Sequence, residues 1–447
     1  KEFCAQYYYE AKNDIATVFL DRLLRLNSPA GTTALVMPQN WLFLTSYKKF
    51  RVRLLKTRRW NFVANLGPQA FQTPMWDFNV SLIAISASTP PEGYAFAGID
   101  ATASPAPQEK VGLLCSAEIS VVPQRAQLSN PDSIVSFGVS RTEHVQYLGD
   151  YVSSAKGICT GDLPRFVRRF WELPAVDSGW ARFRTSVSET VPVGGCENVL
   201  FWEDGEGTFV EFVKERLSGS TGAWIRGHEA WGRLGVAISR MADLPCTLYF
   251  GELFDDNSGV IIPKNEEDLP AIWAFCCSDE FRESLREINQ KLSVDNTYLK
   301  AVPFDIERWR DLARQQCLPK NTRSEDLTQW GYHGDVSTGI QPLHAAVARL
   351  LGYRWPEQEP DEFDRFADED GIVCIPSIRG EDPATERLRT LLAAAYDDWS
   401  PTKEQELICA TGSKSKDLNE WLRNDFFEQH CKLFHHRPFI WHIWDGR

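Results

Sequence analysis

The sequence predicts an α/β chain: the second half of an open α/β sheet ending in a hairpin, then a separate α+β region, then a helical tail. Three observations carry this reading. Residues 14–86 run helix, strand, helix, strand, strand, an order that suits one half of an open sheet closed by a hairpin. From about residue 146 tryptophans and other aromatics become dense, and short strand-like runs alternate with turns. Beyond the acidic run "EQEPDEFDRFADED" (357–370) the apolar residues return to helical spacing,.

Each element has a local reason. In "DIATVFLDRLLRLN" (14–27) the residues Ile15, Val18, Phe19, Leu23 and Leu26 fall at helical spacing,. Asp14 is placed to cap the helix, and "SPAG" ends it,. "ALVM" reads as a buried strand with a proline-marked exit at Pro38. "SYKKFRVRLLKT" reads as a basic amphipathic helix, and "WNFVANL" and "NVSLIAIS" read as strands,. "WARFRTS", "VLFWEDG", "LGVAIS", "CTLYFG" and "SGVIIP" supply strands to the α+β region. Residues 269–292 read as one helical stretch and 340–353 as another. "ATERLRTLLAAAYDDW" and "LNEWLRNDFFEQHCKLF" make the helical tail.

Composition narrows the function classes. The 447 residues suffice for two or three domains with cores of their own,. No run of 18 apolar residues predicts a membrane span,. The start has no apolar signal-peptide region, and eleven scattered cysteines without C-x-x-C spacing suit reduced thiols, so a cytoplasmic setting is expected,. The one cysteine–histidine pair at metal-like spacing, Cys431 and His435, lacks a second ligand cluster, so no metal is expected,. A net charge of −13 argues against a uniformly basic nucleic-acid binder. The charge is uneven, however: "KKFRVRLLKTRR" (48–59) carries seven basic residues in twelve, and a basic patch on an acidic protein still steers DNA,. The same run reads equally as a solvated helix face.

No phosphate-cradling G-x-x-x-x-G-K-[ST], no G-x-S-x-G elbow and no H-E-x-x-H occurs,. What remains is aromatic and basic material beside turns. Phe71 stands between a Gly-Pro turn and an apolar strand, either as core or as a platform for a flat ligand. "AKGICTGDLPRFVRRFWEL" (155–173) joins a glycine turn to interleaved arginines and aromatics, a pattern that fits nucleic-acid contact and fits a half-buried helix equally,.

Taken together, "NDIATVFLDRLLRLNSPAGTTALVMPQNWLFLTSYKKFRVRLL", "NLGPQAFQTPMWDFNVSLIAIS", "AKGICTGDLPRF" and the later "GVAISRMADLPCTLYFGELFDDNSGVIIP" resemble, in order and spacing, adenine-specific (N6) DNA methyltransferases of the large restriction–modification and phage-exclusion (BREX-like) type. The resemblance implies an α/β fold, the C-terminal half of a Rossmann-like methyltransferase sheet followed by an α+β target-recognition domain. It implies residues 1–110 as the C-terminal part of the catalytic domain, 111–356 as the target-recognition domain, 357–371 as an acidic linker and 372–447 as a helical C-terminal region. The glycine-rich cofactor loop and the Asn-Pro-Pro-Tyr tetrapeptide of such enzymes are missing; "TPPEGY" (89–94) has no Asn or Asp before its prolines. No catalytic residue is therefore expected in this chain, and both motifs are expected upstream of Lys1.

The resemblance assigns roles residue by residue. Phe71 stacks on a base flipped out of the duplex. Asp14 and Pro38 shape the pocket for S-adenosylmethionine and adenine. Lys48, Lys49, Arg51, Lys156, Thr160, Gly161, Arg165 and Arg169 contact double-stranded DNA. The implied activity is site-specific methyl transfer from S-adenosylmethionine to adenine N6, with restriction or defence-system proteins as partners. The alternative is a non-catalytic DNA-binding specificity module.

Overall fold

The structure is a computed structural model that describes residues 2–72, 79–102, 104, 106–137, 146–177, 179–241, 243–288, 293–378, 380–439 and 443–444. It divides into two compact units, one formed by residues 1–151 and 278–305, the other by residues 152–277 and 306–447.

After a short helix at Glu2–Tyr7, the first unit continues with helix α1 (Ile15–Leu26), capped by Asp14, whose carboxylate accepts from the Ala16 amide at 2.8 Å. Strand β1 (Thr32–Pro38) follows, then α2 (Lys48–Thr57), β2 (Arg59–Gly67), β3 (Val80–Ser86), β4 (Ala95–Asp100), α3 (Pro107–Ser116) and β5 (Ser120–Pro123). The sheet order is β1-β3-β2-β4-β5. Strand β3 runs antiparallel to both β1 and β2, and β4 pairs parallel with β2. Thus β1, β2 and β4 point the same way, and the β2–β3 hairpin expected from the sequence is present.

Aromatic rings fill the space between α2 and the sheet. Trp41 lies 5.8 Å from Phe50 and 5.4 Å from Trp60, and Trp60 lies 5.8 Å from Phe96. Aromatic pairs at such spacings contribute about 0.5–1.5 kcal/mol each beyond the area they bury.

Helix α1 is rotated from its expected orientation. It buries Val18, Leu20 and Leu24 together with Thr17 and Asp21, and leaves Ile15, Phe19 and Leu26 exposed. Polar anchoring sets this rotation. Thr17 donates to the Ala11 carbonyl at 2.7 Å, and Asp21 is held between Arg25 (2.6 Å) and Arg53 (2.9 Å). A buried carboxylate without such partners would be strongly unfavourable, so the paired Asp21 fixes which face turns inward.

The second unit is α+β. One antiparallel sheet has the order β11-β10-β13-β6, from β6 (Val152–Lys156), β10 (Gly235–Ser239), β11 (Cys246–Tyr249) and β13 (Ser258–Pro263). A mixed sheet, β12-β8-β9-β7, joins β7 (Val167–Arg169), β8 (Trp180–Arg184), β9 (Asn198–Phe201) and β12 (Leu253–Phe254). Arg184, fully buried on β8, pairs with Glu252 at 2.9 Å. Helices Pro342–Leu350, Ala384–Ala395 and Leu418–Asn424 surround a core that includes Trp330, Leu388 and Trp421. The acidic stretch 357–370 is tied into this unit: Asp361 and Asp364 pair with the buried Arg349, and Asp368 with Arg387 at 2.6 Å.

The stretch 269–292 is two helices rather than one, Leu269–Cys276 and Asp279–Ile288, and residues 289–292 lie outside the described residues. Ser278 starts the second helix by accepting from the Phe281 amide at 3.2 Å. The two helices belong to different units. Their composition explains it: residues 271–276 are apolar all round and buried, whereas "DEFRESLREI" is amphipathic,.

Candidate functional site

The common direction of β1, β2 and β4 brings their carboxyl ends, Pro38, Gly67 and Asp100, to one edge of the first unit. Open α/β sheets place ligands at that edge. A cavity of about 230 Å³ opens there, with Gln39, Leu42 and Phe43 following β1, Asn65 near the end of β2, and Asp100 at the end of β4. Val135 and Phe137 complete it on the side of the loop after β5.

Local backbone features shape the edge. A β-bulge interrupts the β2–β3 register between Asn65 and Gly67, and such bulges re-aim side chains. Gly67 takes φ +67°, and a side chain there would press on Thr102 at 3.2 Å. Lys110, on α3, is almost fully buried and donates to the Leu66 carbonyl (2.5 Å) and the Ala101 carbonyl (3.1 Å). It thereby ties the ends of β2 and β4 together. Burial holds its ammonium below the usual lysine range, against the opposing attraction of Asp100.

The structure sorts the residues singled out by the sequence. Phe71 lies in the connection leaving the carboxyl end of β2 and is 44% exposed, so it is not a core residue. Residues 73–78 of that connection, within the motif quoted above, lie outside the described residues. Asp14 caps α1 close to the chain that follows β1: Asn13 donates to the Ser46 carbonyl at 3.4 Å, and Asp14 helps raise the Tyr47 phenol, after the larger effect of burial. Pro38 is half-buried at the end of β1.

The basic run does not form a face. Lys49 is exposed, and Lys48 pairs with Asp132 at 3.2 Å. Arg51 corrects the expectation of a DNA contact. It has no exposed surface, and its guanidinium donates to the carbonyls of Trp41, Leu44, Asp132 and Ser133 at 2.6–3.1 Å. Burial lowers it to about 10, still charged at neutral pH. Arg53 pairs with Glu10 and Asp21, and Arg58 donates to the Ala87 carbonyl. Arg59 stacks over Tyr94 at 4.7 Å.

The remaining candidates lie in the second unit. Gly161 adopts φ +65°, where a Cβ would stand 2.2 Å from the Trp224 ring, so glycine is required there by packing. Thr160 is buried, and Lys156 sits half-buried on β6 opposite Gly259. Arg169 pairs with Glu197 and lies over Trp171 at 5.8 Å. Arg165 is exposed, stacked on Phe166 (4.8 Å) and Phe212 (5.3 Å), with no carboxylate in ion-pair range among the described residues. His435 faces Glu197 at 3.3 Å, and among the described residues no group of three or more His, Cys, Asp or Glu could hold a metal.

Asn65, Asp100 and Lys110 escaped the sequence reading. Their signal is positional, at the strand ends, and emerges only once the strand directions are known.

Known proteins resemble the part of the chain that carries β1 and β2. Residues 1–71 match the Eco57I restriction-modification methylase family. Over 73 residues the chain is 34% identical to the adenine-specific methyltransferase PglX of Lacticaseibacillus casei (strain Zhang), covering 16% of this chain and 6% of that protein. Over 71 residues it is 34% identical to the adenine-specific methyltransferase BrxX of Escherichia coli O9:H4 (strain HS), again 16% of this chain and 6% of the relative. The match thus spans a small fraction of the relatives' own length. The resemblance to adenine-specific methyltransferases of the restriction–modification type is borne out over that stretch. Among solved structures, the Type IIL restriction-modification enzyme MmeI in complex with DNA aligns over 88% of this chain and 50% of its own, at 11% identity and a TM-score of 0.38. Among the described residues no helix is long and apolar enough to cross a membrane.

Proposed function

We propose that this chain is part of a site-specific DNA methyltransferase that transfers a methyl group from S-adenosylmethionine to adenine N6 in a restriction–modification or phage-defence system. The observation that carries the reading is the match of residues 1–71 to the Eco57I methylase family, together with two relatives named as adenine-specific methyltransferases. The strand order supports the C-terminal half of a Rossmann-like sheet as the fold. Among the described residues strand β1 pairs on one side only, with β3, and α1 exposes Ile15, Phe19 and Leu26. An open strand edge with an uncovered apolar helix face is where further strands and helices of one sheet would pack.

In this reading Phe71 supplies a stacking face for a base rotated out of the duplex. An enzyme acting on adenine N6 must extrude the base, and an aromatic face returns roughly 1–3 kcal/mol of the lost stacking. Phe71 is exposed, as that role requires. S-adenosylmethionine is implied by the family, but the residues present do not by themselves make its site. The cavity of about 230 Å³ falls below the roughly 300–1,000 Å³ of clefts that enclose larger ligands,. Among the described residues no glycine-rich cradle follows a strand at this edge, so Asp14 and Pro38 contribute at most a wall. The chain alone is inactive in this reading, and Lys49, Arg165 and Lys156 are its DNA-facing cations.

The test is methyl transfer to DNA by the full-length gene product, with the modified position mapped by sequencing, for wild type and Phe71→Ala. Methylation at adenine N6 that falls with Phe71→Ala supports the reading. Absent methylation with salt-sensitive DNA retention would instead favour the specificity-module alternative.

A further inference from the structure

Two cysteine sulfurs from distant parts of the chain meet in the second unit. Cys246 begins β11, is fully buried, and pairs across the sheet with Ile238 of β10. Cys277 follows the helix Leu269–Cys276 and is half-buried. Their Sγ atoms lie 3.6 Å apart, although 31 residues separate them in sequence. The backbone holds both in place. The Cys246 amide donates to Thr190 Oγ1 at 3.3 Å, and the Cys277 amide donates to the Trp273 carbonyl at 3.0 Å. Cys277 is also the last residue before the chain passes from the second unit into residues 278–305 of the first.

A disulfide holds its sulfurs about 2.05 Å apart. Closing the gap moves each sulfur by less than about 1 Å, which rotation of the two side chains can supply. Burial separates their roles. The contact with Cys277, and then burial, raise Cys246 far above the usual thiol range, so it keeps its proton. Burial does the same to Cys276. Cys277 reaches the surface and is the sulfur that an outside disulfide meets first. Its thiolate attacks one sulfur of a small disulfide such as oxidised glutathione, whose S–S bond breaks. One glutathione leaves as a thiol and the other stays on Cys277. The Cys246 sulfur then attacks Cys277 Sγ and expels the second glutathione, which takes the Cys246 proton. The two protein thiols are oxidised to one disulfide, and one glutathione disulfide is reduced to two thiols.

We propose that Cys246 and Cys277 are a reversible disulfide site, oxidised by exchange with a small-molecule disulfide, and that the bond fixes the end of helix Leu269–Cys276 to β11 where the chain leaves the second unit. Transient, redox-sensing bonds are the usual form of disulfides in reducing compartments, so the site is compatible with a chain of scattered thiols. It is independent of the DNA reading. The full chain is incubated with excess oxidised glutathione, the remaining thiols are alkylated, and the products are mapped by peptide mass spectrometry. The expected result is a cross-linked peptide joining Cys246 to Cys277, lighter than the two thiol peptides by two hydrogens and lost on adding dithiothreitol. The exposed Cys115, Cys317 and Cys409 instead keep glutathione. In Cys246→Ser, glutathione accumulates on Cys277, because the second sulfur is gone. The thermal midpoint of the second unit rises by about 5 °C or more on oxidation, and this rise is absent in Cys277→Ser and kept in Cys276→Ser. No cross-link in the folded wild-type chain, a cross-link through Cys276 instead, or a rise that persists in Cys277→Ser overturns the proposal. The wild-type map decides even where a serine variant does not fold.

Discussion

Arg51 donates from Nη1 to the Trp41 carbonyl at 2.6 Å, from within a helix back to the segment that follows β1. The same guanidinium also holds Leu44, Asp132 and Ser133. One buried cation therefore fastens the turn after β1, helix α2 and the segment 132–133 that precedes Val135 of the cavity wall. A residue that looks like a phosphate contact in the sequence is a structural clamp.

Replacing Arg51 tests that role. Arg51→Met leaves several buried carbonyls without donors, and hydrogen bonds to a charged group are worth about 1.5–3 kcal/mol each. The expected outcome is a loss of about 3 kcal/mol or more in the unfolding of the first unit, read from urea denaturation, with unchanged DNA retention per folded molecule. Lys49→Glu, on the exposed side of the same helix, should do the reverse.

Arg165 and Arg169 should separate in the same way. Arg165 is uncompensated, so Arg165→Glu should reduce the slope of log affinity against log salt by about 0.9 for a lost phosphate contact. Arg169→Glu faces Glu197 with a second carboxylate and should chiefly lower the thermal midpoint. An unaltered salt slope in Arg165→Glu counts against a DNA role for this turn.

Gly161→Ala should destabilise the second unit by about 1–3 kcal/mol, since it combines a left-handed backbone with a methyl group pressed on Trp224,. Differential scanning calorimetry reads this directly. Gly412→Ala is a control: its φ is +78° but nothing lies within 4 Å of the added carbon, so its loss should be smaller.

Acid should loosen the helical part of the second unit. His344 and His430 are buried with their rings stacked at 6.0 Å, among Trp421 and Phe426. Burial lowers His344 to about 4 and His430 to about 3, the latter helped by the neighbouring His344. An unfolded histidine titrates near 6.5, so below that pH the unfolded chain takes up protons that the folded chain refuses. Stability is then full above about pH 6.5 and falls as pH drops toward 4. Denaturant titrations at pH 7, 6 and 5 should show this decline, and His430→Phe should flatten it.

The sequence by itself determined the elements of residues 14–86 in order, because local rules are enough for them: Asp14 as a cap, the apolar run of β1 with Pro38 at its end, and the hairpin of β2 and β3. It also carried the resemblance in residues 1–71 that the family match bears out. Tertiary structure decided which faces and charges are used. Spacing grouped Ile15, Val18, Phe19, Leu23 and Leu26 on one face of α1; Val18 is buried, but the ion pairs of the buried Asp21 leave Ile15, Phe19 and Leu26 outward. Charge density proposed a basic face on α2, but Arg51 and Arg53 are consumed by partners distant in the chain. The carboxyl-edge cavity was not legible at all. Gln39, Asn65, Asp100 and Val135 are scattered along the chain and meet only because β1, β2 and β4 run in one direction, and strand direction is a property of long-range pairing that no local pattern encodes.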